Sequence, residues 1–188
     1  LEPGAGCAAG HVPILAGEDL RRGAITTPRH QVPLGALRKR ATIEPVPRLL
    51  LVKTGAGIVA AASDDPLPAL QSIYVLHLTD AARSRVGEAV LAAVLSSAPL
   101  TAYAWYRWTS GKALHPQLTL GNVRELPLPT LAALAAARSE LAALLAPPPP
   151  SPQARSEPEP GTAPFLARPI AAERALDERV VELFSMDF

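Results

Sequence analysis

The sequence predicts an α+β fold, with a small, mostly antiparallel sheet in its first half and helices in its second. Three observations carry this expectation. Short apolar runs bounded by glycine or proline crowd residues 48–78, each too short for a stable helix. Leucine, valine and alanine then recur at helical spacing over residues 85–108 and 130–145. Residues 147–169, with nine prolines in twenty-three positions, separate this body from a last amphipathic segment.

The elements follow in order. Residues 11–22 (HVPILAGEDLRR) bring a short apolar stretch into Gly17, then an acidic pair and a basic pair. Residues 29–40 are polar and basic, with turns expected at Pro33 and Gly35. Residues 48–53 (RLLLVK) form an apolar run between Pro47 and Thr54-Gly55, of a length that suits a buried strand. Residues 57–62 supply a second strand, and the short glycine-containing connection at 54–56 makes the two a hairpin. Asp64, Asp65, Pro66 and Pro68 form a loop before a third strand at 71–78 (QSIYVLHL). The helix expected over 85–108 is broken or kinked at Pro99. Its aromatics, Tyr103, Trp105, Tyr106 and Trp108, are expected to face the core. Thr130 is the expected N-cap of a helix over 130–145, with Pro129 at its entrance. After the prolines, Leu176, Val180, Leu183 and Phe184 make the apolar stripe of a helix over 170–184. The expected organisation is a body at 11–146, a linker at 147–169 and a C-terminal helical segment at 170–188.

At 188 residues the chain suits one domain of ordinary size. Hydrophobic residues make up 48% but aromatics only 4%, so the core must be built from leucine, valine and alanine. The net charge of +1 hides an uneven spread. Residues 1–60 hold eight Lys/Arg against four Asp/Glu, whereas residues 146–188 hold four against seven. A basic first third with an acidic tail is compatible with a nucleic-acid-facing module. One cysteine, Cys7, permits no internal disulfide and no cysteine-based zinc site, as in a reducing cytoplasm. His11, His30, His77 and His115 lack paired ligand spacing, so no metal site is expected. No run of about 18 apolar residues is free of charge and proline, so no membrane span is expected. The opening LEPGAGCAAG lacks the basic and apolar regions of a signal peptide, and without an initiator methionine the chain is expected to begin inside a longer reading frame.

Several pieces, taken in order, resemble the TaqI-like C-terminal specificity domain, the target-recognition domain of N6-adenine DNA methyltransferases and fused restriction-modification enzymes. Pro13 to Leu15 followed by Gly17-Glu18-Asp19-Leu20 and Arg21-Arg22 resembles that family's entrance motif. PRLLLVKTG at 47–55 and LQSIY at 70–74 resemble strands of its recognition sheet. Residues 91–108 resemble a helix that in the family carries Asn-Ser in its middle and aromatics at its end; Ser96-Ser97 stands there instead. Residues 109–129 (TSGKALHPQLTLGNVRELPLP) resemble the closing segment, with Pro116-Gln117 and a final Leu-Pro-Leu-Pro. LDERVVELF at 176–184 is similar to the family's terminal helix, with Phe184 in place of tyrosine. The resemblance covers residues 11–130 and 170–186.

The resemblance implies sequence-specific recognition of double-stranded DNA, with a methyltransferase catalytic domain in cis or in trans. S-adenosylmethionine would bind that other domain. The Asn/Asp-Pro-Pro-Tyr/Phe tetrapeptide of catalysis is not in this sequence, and TGAG at 54–57 opens no helix and is no cofactor loop. The chain is therefore expected not to be an enzyme by itself and to need no cofactor of its own. Arg21, Arg22, Arg38, Lys39 and Arg40 are the expected phosphate-tracking or guanine-reading cations. Lys53, leaving a strand into a tight turn, and Lys112, after Ser110-Gly111, are expected phosphate contacts. Gln71 and Ser72 are candidates for reading adenine or a phosphate, while Gln117 is expected to pin a loop backbone. The alternative expectation is an orphaned remnant of such a domain that serves as a protein-interaction module.

Overall fold

The computed structural model describes residues 10–37, 47–53, 57–109, 117–145 and 170–185. The expected hairpin connection at 54–56, the basic run Arg38-Lys39-Arg40, Lys112 and the proline-rich stretch at 147–169 lie outside the described residues. The architecture is α+β. Strands β1 (His11–Ile14) and β4 (His30–Pro33) pair antiparallel, as do the short β2 (Leu20–Arg21) and β3 (Ala24–Ile25). The main sheet has three strands in the order β6-β5-β7: β5 (Arg48–Val52) runs between β6 (Ala60–Ser63) and β7 (Ile73–Leu76), antiparallel to both.

The uninterrupted run Arg48–Val52 is explained by this central position, because every one of its residues is buried. Side chains alternate between the faces of a strand. Leu49 and Leu51 enter a large core shared with the helices, while Leu50 and Val52 enter a smaller one with Leu15, Leu20, Ala61 and Ile73. The sheet is thus a middle layer, with helices on one face and Leu15 and the β2–β3 hairpin on the other. Arg48 is buried and donates to the carbonyls of Asp65 and Leu67, tying β5 to the following loop. Burial pushes its pKa down, and Asp65 offsets this in part.

The β6 edge is covered at Ala60. Ser96 Oγ accepts from Ala60 N at 2.8 Å and donates to Ala60 O at 3.2 Å, and Gly23 N donates to the same carbonyl at 2.8 Å. Satisfied edge groups offer no template for strand addition. A side chain is disfavoured at Gly57 near this edge: a Cβ there would lie 2.7 Å from Thr101 Cγ2, and moving Thr101 would disturb the hydrogen bond its Oγ1 accepts from Ile58 N at 3.2 Å.

Helices α1 (Asp80–Arg85), α2 (Glu88–Leu95) and α3 (Ala98–Ala104) follow, then a π-helical turn at Trp105–Thr109. The helix expected over 85–108 with a break or kink at Pro99 is thus two helices, α2 and α3, followed by the π-helical turn, and α1 precedes it. Thr79 caps α1, accepting from Ala82 N at 3.3 Å, and Gly87 separates α1 from α2 with a φ of 84° that few other residues adopt. Pro99 sits in the first turn of α3, where its missing N–H costs nothing, so the break falls before it at Ser96-Ser97. Thr130 does cap its helix, accepting from Ala133 N at 3.2 Å, but the expected helix divides at Ala137 into α5 (Leu131–Ala136) and α6 (Arg138–Leu145). A short α4 (Leu120–Arg124) precedes them, and α7 (Ile170–Ser185) closes the order. Leu176, Val180 and Leu183 of α7 are fully or almost fully buried in the large core, and Phe184 packs against it.

Two further corrections concern the edges of the expected pattern. Residues 30–33, read as part of a turn region, form β4 in register with β1, with Val12 opposite Val32. The terminal aromatics do not all face inward: Trp108 packs against the core and meets Tyr103 edge-on at 5.6 Å, while Tyr103, Trp105 and Tyr106 are exposed, Tyr106 at 83%.

Candidate functional site

Lys53 leaves the end of β5 with the same side-chain parity as Leu49 and Leu51, which brings it beside Tyr74 on β7. Its backbone is fixed on both sides. Lys53 N donates to Ser72 O at 2.9 Å, and Lys53 O accepts from Leu118 N at 2.7 Å. Three distant segments therefore meet at one end of the sheet: the end of β5, the entrance to β7 and residues 117–119. Leu118 is buried and anchors the third segment.

Between them opens a cleft of about 280 Å³, lined by Lys53, Gln71, Ser72, Tyr74, Gln117, Leu118 and Thr119. The Lys53 ammonium stands 4.4 Å from the centroid of the Tyr74 ring, a cation–π distance. Lys53 is the one cationic side chain among these, and among the described residues no carboxylate lines the cleft.

Two of the hydroxyls are already committed. Ser72 Oγ accepts from Gly17 N at 3.3 Å, and Thr119 Oγ1 caps α4, donating to Asn122 Oδ1 at 2.7 Å and accepting from Asn122 N at 3.2 Å. Among the described residues, no hydrogen bond engages the side-chain amide of Gln71 or of Gln117, and both residues are exposed. The groups left to meet a ligand are an ammonium, two amides and an aromatic ring.

Of the expected cations and readers, the structure brings Lys53, Gln71 and Ser72 together. It adds Gln117, expected only to pin a loop, and Tyr74, which the sequence reading did not single out. The parity of residues 49, 51 and 53 with an aromatic in the partner strand is the signal that identifies Tyr74. Arg21 is exposed and donates to the carbonyls of Glu18 at 2.6 Å and Leu20 at 2.9 Å. Glu18 in turn meets His30 at 2.8 Å, and that hydrogen bond holds the Glu18 carboxyl below its ordinary pKa.

Arg22 is placed otherwise than a surface cation. It lies by the β6 edge and forms a two-point pair with Asp177 of α7, whose carboxylate also accepts from Ala98 N at 2.9 Å. The basic end of the entrance segment and the acid of the terminal helix therefore hold each other. The Gly17-Glu18-Asp19-Leu20 turn is also scaffold. Asp19 is fully buried and accepts from Ala16 N at 2.8 Å, Leu20 fills the smaller core, and a Cβ on Gly17 would crowd Val52 Cγ1 at 3.2 Å.

A second and larger concavity, about 720 Å³, runs between α3 and α7 along Ala98, Pro99, Ala102, Asp177 and Val181. Of the charges that line it, Asp177 pairs with Arg22 and Arg174 with Glu178 at 2.8 Å, and Glu173 forms no ion pair among the described residues. Among the described residues no three His, Cys, Asp or Glu side chains gather to hold a metal ion, and no single helix is long and apolar enough to cross a membrane. No family model matches this chain, and no curated protein matches it.

Proposed function

We propose that this chain is the DNA target-recognition module of an adenine-N6 methyltransferase or restriction-modification enzyme. It acts in the cytoplasm beside a catalytic domain, in cis or in trans, that holds S-adenosylmethionine and performs the transfer. The observation that carries this reading is the cleft at the end of β5, where one ammonium meets two amides that no described residue engages, with no opposing carboxylate among the described residues. A polyanion with base edges supplies what such a lining lacks: phosphate for Lys53, and donor–acceptor pairs for Gln71 and Gln117. The ordered resemblance over residues 11–130 and 170–186 supports the same reading, and the basic first third of the chain adds attraction at longer range. Arg38, Lys39, Arg40 and Lys112 belong to this reading as further phosphate contacts. Methylation of a base in a duplex requires its extrusion, and contacts made by a recognition module offset that cost.

Binding of the full chain to short labelled duplexes, followed by fluorescence anisotropy across salt concentrations, tests the proposal. Affinity is expected to fall steeply with salt, with a preference for one short sequence. Lys53→Ala is expected to reduce the slope of log affinity against log salt by about one. Binding that is absent at low salt, or indifferent to salt, counts against DNA recognition.

A second reading, a protein-interaction module, is favoured by the groove between α3 and α7 and by the exposed aromatics Tyr103, Trp105 and Tyr106.

A further inference from the structure

We infer that the outer edge of β7 pairs antiparallel with the same edge of a second copy of this chain, around a two-fold axis at Val75, so that two three-stranded sheets become one. The sheet order β6-β5-β7 makes β7 an edge strand. The register decides which of its backbone groups are free. Lys53 N donates to Ser72 O at 2.9 Å, so in the alternating antiparallel ladder Ser72, Tyr74 and Leu76 bond to β5. Ile73, Val75 and His77 therefore turn their N–H and C=O groups outward. Ile73 N is taken by Leu70 O at 3.0 Å. Ile73 O, Val75 N, Val75 O and His77 N meet no partner among the described residues.

The two edges of the sheet differ. At β6, Ser96 and Gly23 engage the outward groups of Ala60. Ile73–Leu76 carries no lysine, proline or other residue that commonly guards an edge against pairing. Val75 is 38% exposed and His77 is exposed, so the middle of the edge is open. Two features select a second copy as the occupant. With the axis at Val75, Val75 N of each copy donates to Val75 O of the other, and His77 N donates to Ile73 O of the other. The same register lays the two exposed Val75 side chains against each other as a cross-strand apolar pair. The antiparallel sense also brings opposite charges together. Lys53 stands beside the start of β7, and Asp80, with its side chain fully exposed, follows its end. Arg83, next to Asp80, is held at 2.8 Å by the buried Glu88. Each copy thus sets its Asp80 end beside the Lys53 end of the other.

Sedimentation equilibrium of the full chain across micromolar concentrations, with reductant present to keep Cys7 a thiol, tests the inference. A reversible association from 19.7 kDa to twice that mass is expected. Val75→Pro removes an outward N–H and no bond to β5, and Val75→Lys sets like charges opposite each other. Each is expected to weaken dimerisation at least about tenfold, since two hydrogen bonds or an apolar pair are lost across the axis. An unchanged thermal melt of the dilute protein verifies the fold of each variant. Val181→Lys, in the α3–α7 groove, is expected to leave dimerisation unchanged. A chain that stays monomeric throughout overturns the inference and leaves the edge to an extended segment of a different protein. Dimerisation that survives both Val75 variants and is lost in Val181→Lys places the interface on the groove and overturns it as well. Duplex binding is read separately by anisotropy, so the failure of either proposal leaves the other standing.

Discussion

Asp177→Ala is expected to destabilise the fold by about 3 kcal/mol, measured from urea unfolding midpoints. The carboxylate of Asp177 holds two partners from distant parts of the chain: the Arg22 guanidinium, through two contacts, and the α3 amide Ala98 N. Its removal leaves Arg22 four-fifths buried without its counter-charge, beside a guanidinium Nε that has no partner among the described residues. An orphaned charge of this kind costs more than the pair itself contributes. The double variant Arg22→Ala/Asp177→Ala is therefore expected to be less destabilised than the sum of the single variants, with a coupling of about 1–3 kcal/mol. Additive effects would mean that the two side chains do not meet in solution. The outcome also bears on the C-terminal segment, because Asp177 and the buried Leu176, Val180 and Leu183 fasten α7 to the body.

Leu50→Ala is expected to cost about 2–5 kcal/mol, the range for a large buried aliphatic truncated in a packed core. Leu50 has no solvent exposure and lies in the middle strand, opposite Ala61 on one side and Val75 on the other. It faces the smaller core, where alanine is already the neighbour in β6, so little flanking volume is available to refill the cavity. Leu34→Ala provides the contrast. That leucine is 57% exposed, and its truncation is expected to change stability by no more than about 0.5 kcal/mol. A mild effect at Leu50 would mean that Leu15 and the β2–β3 hairpin do not seal this face of the sheet.

Parts of this architecture are legible in the sequence for identifiable physical reasons. The run Arg48–Val52 reads as a strand because a central strand is apolar throughout and glycine or proline flanks it. The stripe of Leu176, Val180 and Leu183 reads as a buried helix face because its spacing has one solution. His30–Pro33 does not read as a strand: it holds one aliphatic residue and ends in proline, and it is extended because β1 pairs with it. Helix breaks are equally tertiary. Periodicity runs through residues 85–108, but Gly87 turns the chain, and Ser96 leaves the helix to serve the β6 edge. The aromatic positions follow from the π-helical turn at Trp105–Thr109, which widens the helix and shifts the spacing that a regular helix would keep.

The candidate site divides in the same way. Lys53, Gln71 and Ser72 are legible because each stands at the end of a legible strand, where side chains leave the sheet. Their convergence with Gln117 is not, since 44 to 63 residues intervene and the meeting depends on Leu118 bonding to the carbonyl of Lys53. Arg22 reads as a surface cation until Asp177 is placed against it, a pairing across 155 positions that no local pattern announces.

On the DNA-recognition proposal, the end of β5 is the nucleic-acid-facing part of the chain. Amide chemical-shift mapping of the isotopically labelled full chain, titrated with a short duplex, tests it most directly. The expected result is that the largest shifts fall on Lys53, Gln71, Ser72, Tyr74, Gln117 and Leu118, and that they fade as salt is raised. Shifts confined to the α3–α7 groove around Ala102 and Val181, or no shifts at low salt, would contradict the claim.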